Sequence, residues 1–102
     1  MKIIKIKNGK ILLVNERGMA VGGRGEFGRD IVSAFLNDKE ELIVATTTSG
    51  KVELMNERGV LKRTIVNVGA VNARFAGEDI IVETKNGKLE LRSQTGLLKK
   101  NL

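Results

Sequence analysis

Apolar and polar residues alternate along most of the chain in short runs that end on glycine. Three of these runs are copies of one another. "GKILLVNERG" (9–18), "GKVELMNERG" (50–59) and "GKLELRSQTG" (87–96) align without gaps. Each opens on Gly-Lys, alternates as a half-buried strand does, and closes on a glycine. The ending Asn-Glu-Arg-Gly is identical at 15–18 and 56–59. The pattern predicts positive φ at Gly18, Gly59 and Gly96, each in a hairpin turn that L-residues adopt only with strain.

The flanks repeat as well. "ELIVATTTSGK" parallels "DIIVETKNGK", and "MKIIKIKNGK" is the corresponding opening of the chain. Upstream, "IVSAFLND" (31–38) parallels "VNARFAGE" (71–78), which sets Phe35 and Phe75 in register as core residues. Phe27 has no counterpart in that alignment and is expected as an exposed contact. Downstream, "VLKRTIV" (60–66) parallels "LLKKNL" (97–102). A full unit is therefore four short strands, A to D, over about 40 residues. The chain reads B-C-D, A-B-C-D, A-B-C-D, which makes eleven strands in segments 1–28, 29–66 and 67–102.

This organisation resembles the four-stranded blade of a WD40-like β-propeller, whose repeats run about 40–45 residues. The clearest unit is "VGAVNARFAGEDIIVETKNGKLELRSQTGLLKK". Val68-Gly69 and Arg92-Ser93 stand where the Gly-His and Trp-Asp signatures would fall, so the resemblance is one of architecture and carries no site residues with it. It implies an all-β fold of four-stranded antiparallel blades, about 2.75 per chain at that repeat length. Single-chain propellers have four to eight blades, so the resemblance also implies closure by homo-oligomerisation. A two-fold dimer is the first expectation and a trimer the second. A single-chain barrel or sandwich is the rival architecture.

One stretch offers a different reading. "GGRGEFGR" (22–29) contains a literal G-x-G-x-x-G, followed by "DIVSAFL" and the strand-like "ELIVAT". In a dinucleotide fold "DIVSAFL" would be a helix, yet its repeat partner alternates like a strand. The acidic residue that should close the next strand is also replaced by hydroxyls, since "ELIVATTTS" ends in Thr and Ser. The stretch is read as a loop between units, and no cofactor is expected.

Composition narrows the chemistry. Of 102 residues, 41% are hydrophobic and 29% charged, as in an ordinary globular domain. Cys and His are both absent, so disulfides, thiolate zinc sites and imidazole catalysis are excluded. No apolar run approaches the roughly 18 residues of a membrane helix and no signal-peptide pattern opens the chain, so a cytoplasmic location and no membrane partner are expected. The formal net charge is +6, which favours polyanionic partners. Only Phe27, Phe35 and Phe75 could stack on bases, which argues against stacking-based recognition of single strands.

In an up-and-down blade the B–C turns and D–A loops share one face, and the A–B and C–D turns share the other. The first face receives Lys10, Lys51 and Lys88, one per unit, with Lys7 and Lys85 near them and Arg24 and Arg29 from the glycine-rich loop. These five, Lys10, Lys51, Lys88, Arg24 and Arg29, are the anion-binding candidates. The glycine-rich loop could in addition cup an anion with successive backbone N–H groups. The opposite face receives Asp38, Glu40, Glu41, Glu78 and Asp79. A single lysine beside a turn is ordinarily just solvated, so weight rests on the recurrence. The expected function is a non-catalytic module that self-assembles and binds a partner, protein or polyanion, through its loop faces. Nucleic-acid binding through the basic face is the alternative. A carboxylate glycosidase comes last, with Glu53 and Glu90 the one repeated acidic pair; these alternate with Val52, Leu54, Leu89 and Leu91 as a strand's polar face would.

Overall fold

The computed structural model describes residues 2–21, 25–37, 39 and 41–102. The described chain is all-β, with ten strands in three antiparallel sheets. The first sheet pairs β1 (Ile3–Lys7) with β2 (Lys10–Val14). The second orders β3 (Ile31–Asn37), β4 (Leu42–Thr47), β5 (Val52–Asn56) and β6 (Leu61–Val66) consecutively. The third does the same with β7 (Ala70–Ala76), β8 (Asp79–Thr84), β9 (Leu89–Arg92) and β10 (Leu98–Asn101). Every strand pairs with its neighbour in sequence, as tight turns between antiparallel strands require. The A strand expected within 31–38 is β3, and Asp38 lies outside the described residues. Gly18, Gly59 and Gly96 have φ of 78°, 80° and 87° in the three matching turns, as their spacing predicts.

The sheets pack face to face through two apolar seams. Because side chains alternate along a strand, each sheet has a backward face and a forward face. Ile11 and Leu13 on the forward face of the first sheet, with Ile4 against them, meet Ile43, Ala45 and Met55 on the backward face of the second. Val44, Val52 and Leu54 on the forward face of the second meet Ala73, Ile80 and Val82 on the backward face of the third. The middle sheet is thus covered on both sides, and all six residues of β4 are buried. Polar ties cross the seams. Lys2 Nζ donates to Glu57 Oε1 at 2.7 Å, and Ser33 Oγ donates to Asn72 Oδ1 at 2.8 Å.

Three details differ from the sequence reading. Among the described residues the first unit's D strand is reduced to two bridges on β2, Val14↔Ala20 and Ile11↔Phe27, which gives ten strands there against the eleven expected. Phe27 is buried, not an exposed contact. It exchanges both backbone hydrogen bonds with Ile11, at 2.7 and 2.9 Å, as the partner of the residue equivalent to Val52. Its counterpart is Val66, which pairs with Val52. The glycine-rich stretch is an insertion within this D segment, which is why gapless alignment finds no partner for Phe27.

Phe35 and Phe75 are not in register either. Phe35 lies opposite Val44 while Arg74 lies opposite Ile81, and Val44 and Ile81 occupy the same place in their sheets. Phe75 therefore matches Leu36, one position on. A shift of one residue moves a side chain to the other face. Phe75 packs against the seam between the second and third sheets, whereas Phe35 is 41% exposed.

Candidate functional site

The turn between the second and third strands of each full unit is built from one short motif. Thr47, Gly50 and Lys51 recur as Thr84, Gly87 and Lys88. The Thr47 N–H donates to the Lys51 carbonyl at 2.9 Å, and Thr47 Oγ1 accepts from the Lys51 N–H at 3.2 Å. Thr84 and Lys88 repeat both bonds at 2.9 and 3.2 Å. The first unit uses a shorter turn, Asn8-Gly9, with both residues at positive φ (53° and 75°), the conformation of a type I′ hairpin.

Backbone bonds dock these turns against the entry of the A strands. Thr48 N–H donates to the Asp30 carbonyl and Lys85 N–H to the Gly69 carbonyl, both at 2.9 Å. The first two turns also accept from the next sheet: Ile31 N–H reaches the Gly9 carbonyl at 2.9 Å and Ala70 N–H reaches that of Gly50 at 3.0 Å. Gly50 packs so closely there that an added Cβ would lie 2.6 Å from the Gly69 nitrogen. The repeat thereby carries its own junction between sheets.

Two clefts open at these junctions, of about 210 Å³ and 380 Å³. The first is lined by Arg29, Asp30, Thr47, Ser49, Lys51 and Glu53. The second has Gly69, Thr84, Asn86, Lys88 and Glu90 at the equivalent places, with Val68 where the first has Arg29. Cationic donors and carboxylate acceptors stand side by side in both, with hydroxyls or amides between them. Such a lining suits a ligand that both donates and accepts hydrogen bonds.

Of the five candidate cations, Arg29 and Lys51 meet in the first cleft and Lys88 lines the second. Lys10 is exposed beside the Asn8-Gly9 turn and lines neither cleft. Arg24, with the Gly22 and Gly23 of the expected anion nest, lies outside the described residues. Sequence reasoning passed over Thr47 and Thr84, although the recurring Thr-x-x-Gly-Lys-x-Glu spacing was there to find them. At the other end of the sheets, Glu41 lies near Asn56, Glu57 and Arg58, and Glu78 and Asp79 near Ser93 and Gln94. Asp38 and Glu40 fall outside the described residues.

Glu53 and Glu90 line different clefts, where a glycosidase sets its two carboxylates across one. Glu90 is also engaged by Arg92 Nη2 at 3.0 Å. Among the described residues, no three carboxylates converge as metal ligands would. No protein-family model matches the chain, and no curated protein matches it.

Proposed function

We propose that this chain is a non-catalytic β-propeller protomer whose three sheets are blades, which completes its ring with further copies of itself and presents its loop faces to a partner. One observation carries the reading. Both internal seams join a forward face to a backward face, and the stack ends with one face of each kind lacking a neighbour. A stack with open ends favours association, and closed symmetric assemblies are its usual resolution. Two copies supply six blades, two of them lacking an A strand, so a dimer is the first choice and a trimer the second.

The partner surface is the end bearing the two repeated clefts, since equivalent clefts on successive blades offer a multivalent ligand repeated contacts. A protein partner fits the mixed donors and acceptors. Polyanion binding through Arg29, Lys51 and Lys88 is the second reading, supported by the meeting of Arg29 and Lys51 in one cleft. Glu53 counts against it in the first cleft, while in the second Glu90 is held by Arg92. Light scattering at micromolar concentration tests the assembly: a dimer or trimer mass is expected, and a stable monomer overturns it in favour of a free-standing stack.

A further inference from the structure

The two end faces are not equivalent to the faces buried inside the stack, and the difference is one of charge. On the third sheet, Ile81 pairs with Leu91 and Glu83 with Leu89, so these four share the forward face. Ile81 stands where Val44 is buried in the middle sheet, and Glu83 where Thr46 is buried. Asp79, in the place of Leu42, lies on the same face and is held by Lys99 at 2.8 Å. On the first sheet, Ile3 pairs with Val14, Lys5 with Leu12 and Lys7 with Lys10, which places all six on the backward face. Lys5 stands where Ala45 and Val82 are buried within the two seams.

Each end face therefore keeps an apolar centre and adds charge beside it. On the two central strands of the third sheet the added charge is acidic. On the first sheet it is basic without exception. Arg74 and Lys100 flank the acidic face from β7 and β10. Among the described residues, Glu83, Lys5 and Lys7 enter no ion pair within the chain. A second copy of this chain offers that face an apolar centre of its own, with Lys5 and Lys7 of opposite sign to Glu83 beside it.

We infer that copies associate head to tail, the forward face of the third sheet of one on the backward face of the first sheet of the next, with Ile81 and Leu89 against Ile3 and Leu12 and with Glu83 near Lys5 and Lys7. This rests on the propeller reading, and it adds the surface and the symmetry. The contact is heterologous, joining two different patches, so it differs from a contact of one patch with itself and closes a ring when the rotation between copies closes. Like charges brought together across such a contact are costly, which makes the pairing selective.

Charge exchange tests it. Lys5→Glu/Lys7→Glu and Glu83→Lys proteins, each verified as folded by circular dichroism, are measured alone and mixed by light scattering and analytical ultracentrifugation. Each alone should associate at least tenfold more weakly than wild type. In a dimer an equimolar mixture should restore a one-to-one assembly, because both contacts pair opposite charges again. In a trimer, where the two kinds cannot alternate, the chain with all three substitutions supplies the rescue. Combining all three substitutions in one chain should restore self-association. Wild-type assembly that neither reversal weakens, or that neither mixing nor the combined chain rescues, overturns the head-to-tail contact and leaves the propeller reading standing. A wild type that is monomeric throughout overturns both.

Discussion

β4 and β8 hold the same place in successive sheets, yet one is buried along its whole length and the other alternates. β4 reads Leu-Ile-Val-Ala-Thr-Thr and has a sheet packed on each side. β8 reads Asp-Ile-Ile-Val-Glu-Thr and is covered on the side of Ile80 and Val82 alone. The residues that differ in kind, Leu42 against Asp79 and Thr46 against Glu83, all belong to the forward face. Even the conservative hydroxyl is poorly served inside, since Thr46 Oγ1 is buried with no hydrogen-bond partner. A carboxylate there would be costlier still. One repeat thus carries two kinds of strand, and the number of neighbouring sheets decides which kind a position tolerates.

The largest contrast is expected from placing the same charge in both strands. Val44→Asp puts an unpaired carboxylate in the seam and should cost roughly 4 kcal/mol or unfold the chain outright. Ile81→Asp at the equivalent place should cost under about 1 kcal/mol in dilute protein. Urea unfolding at low protein concentration reads the difference. Equal costs would break the comparison between covered and uncovered positions.

A second contrast uses the residues that close the D position. Phe27 is buried, whereas Leu102, whose N–H reaches the Leu89 carbonyl at 2.9 Å in the corresponding place, is 58% exposed. Phe27→Ala should cost about 3–5 kcal/mol, and Leu102→Ala about 0.5 kcal/mol or less. Thermal melts of the two variants sharpen the comparison by showing how much stability one seam supplies.

The smallest contrast lies in the turns. Gly18 and Gly59 have nearly the same φ, so alanine at either meets left-handed strain of about 1 kcal/mol. At Gly18 an added Cβ meets nothing within 4 Å, but at Gly59 it would lie 2.7 Å from the Phe27 ring. Gly59→Ala should therefore exceed Gly18→Ala by about 1 kcal/mol or more, the usual cost of overpacking. Equal losses in urea would mean that the Phe27 ring yields.

What the sequence makes legible follows from how local the forces are. The C strands and their turns stand out because alternation and a positive-φ glycine act within ten residues or so. The A strands are harder to register. Both β3 and β7 contain an irregular step, between Ile31 and Ser33 and between Ala70 and Asn72, and matching the two phenylalanines by type overrides a one-residue offset. Phe27 is hidden for a related reason. Ala20 to Phe27 spans seven steps where Leu61 to Val66 spans five, and only the pairing with β2 reveals the correspondence. At the candidate site the lysines are visible through recurrence. The meeting of Arg29 with Lys51 depends on how one sheet's entry docks on a turn, which no local pattern encodes.

The junction bonds from Ile31 to Gly9 and from Ala70 to Gly50 give the chain a property beyond stability. The middle unit carries both halves of the junction, the N–H of Ile31 that meets its predecessor and the carbonyl of Gly50 that receives its successor. Among the described residues no strand pairs outside its own unit. Duplicating or losing one forty-residue unit would leave every remaining pairing intact, as in other arrays with nearest-neighbour coupling. A chain built this way can change length in whole modules without a new folding solution.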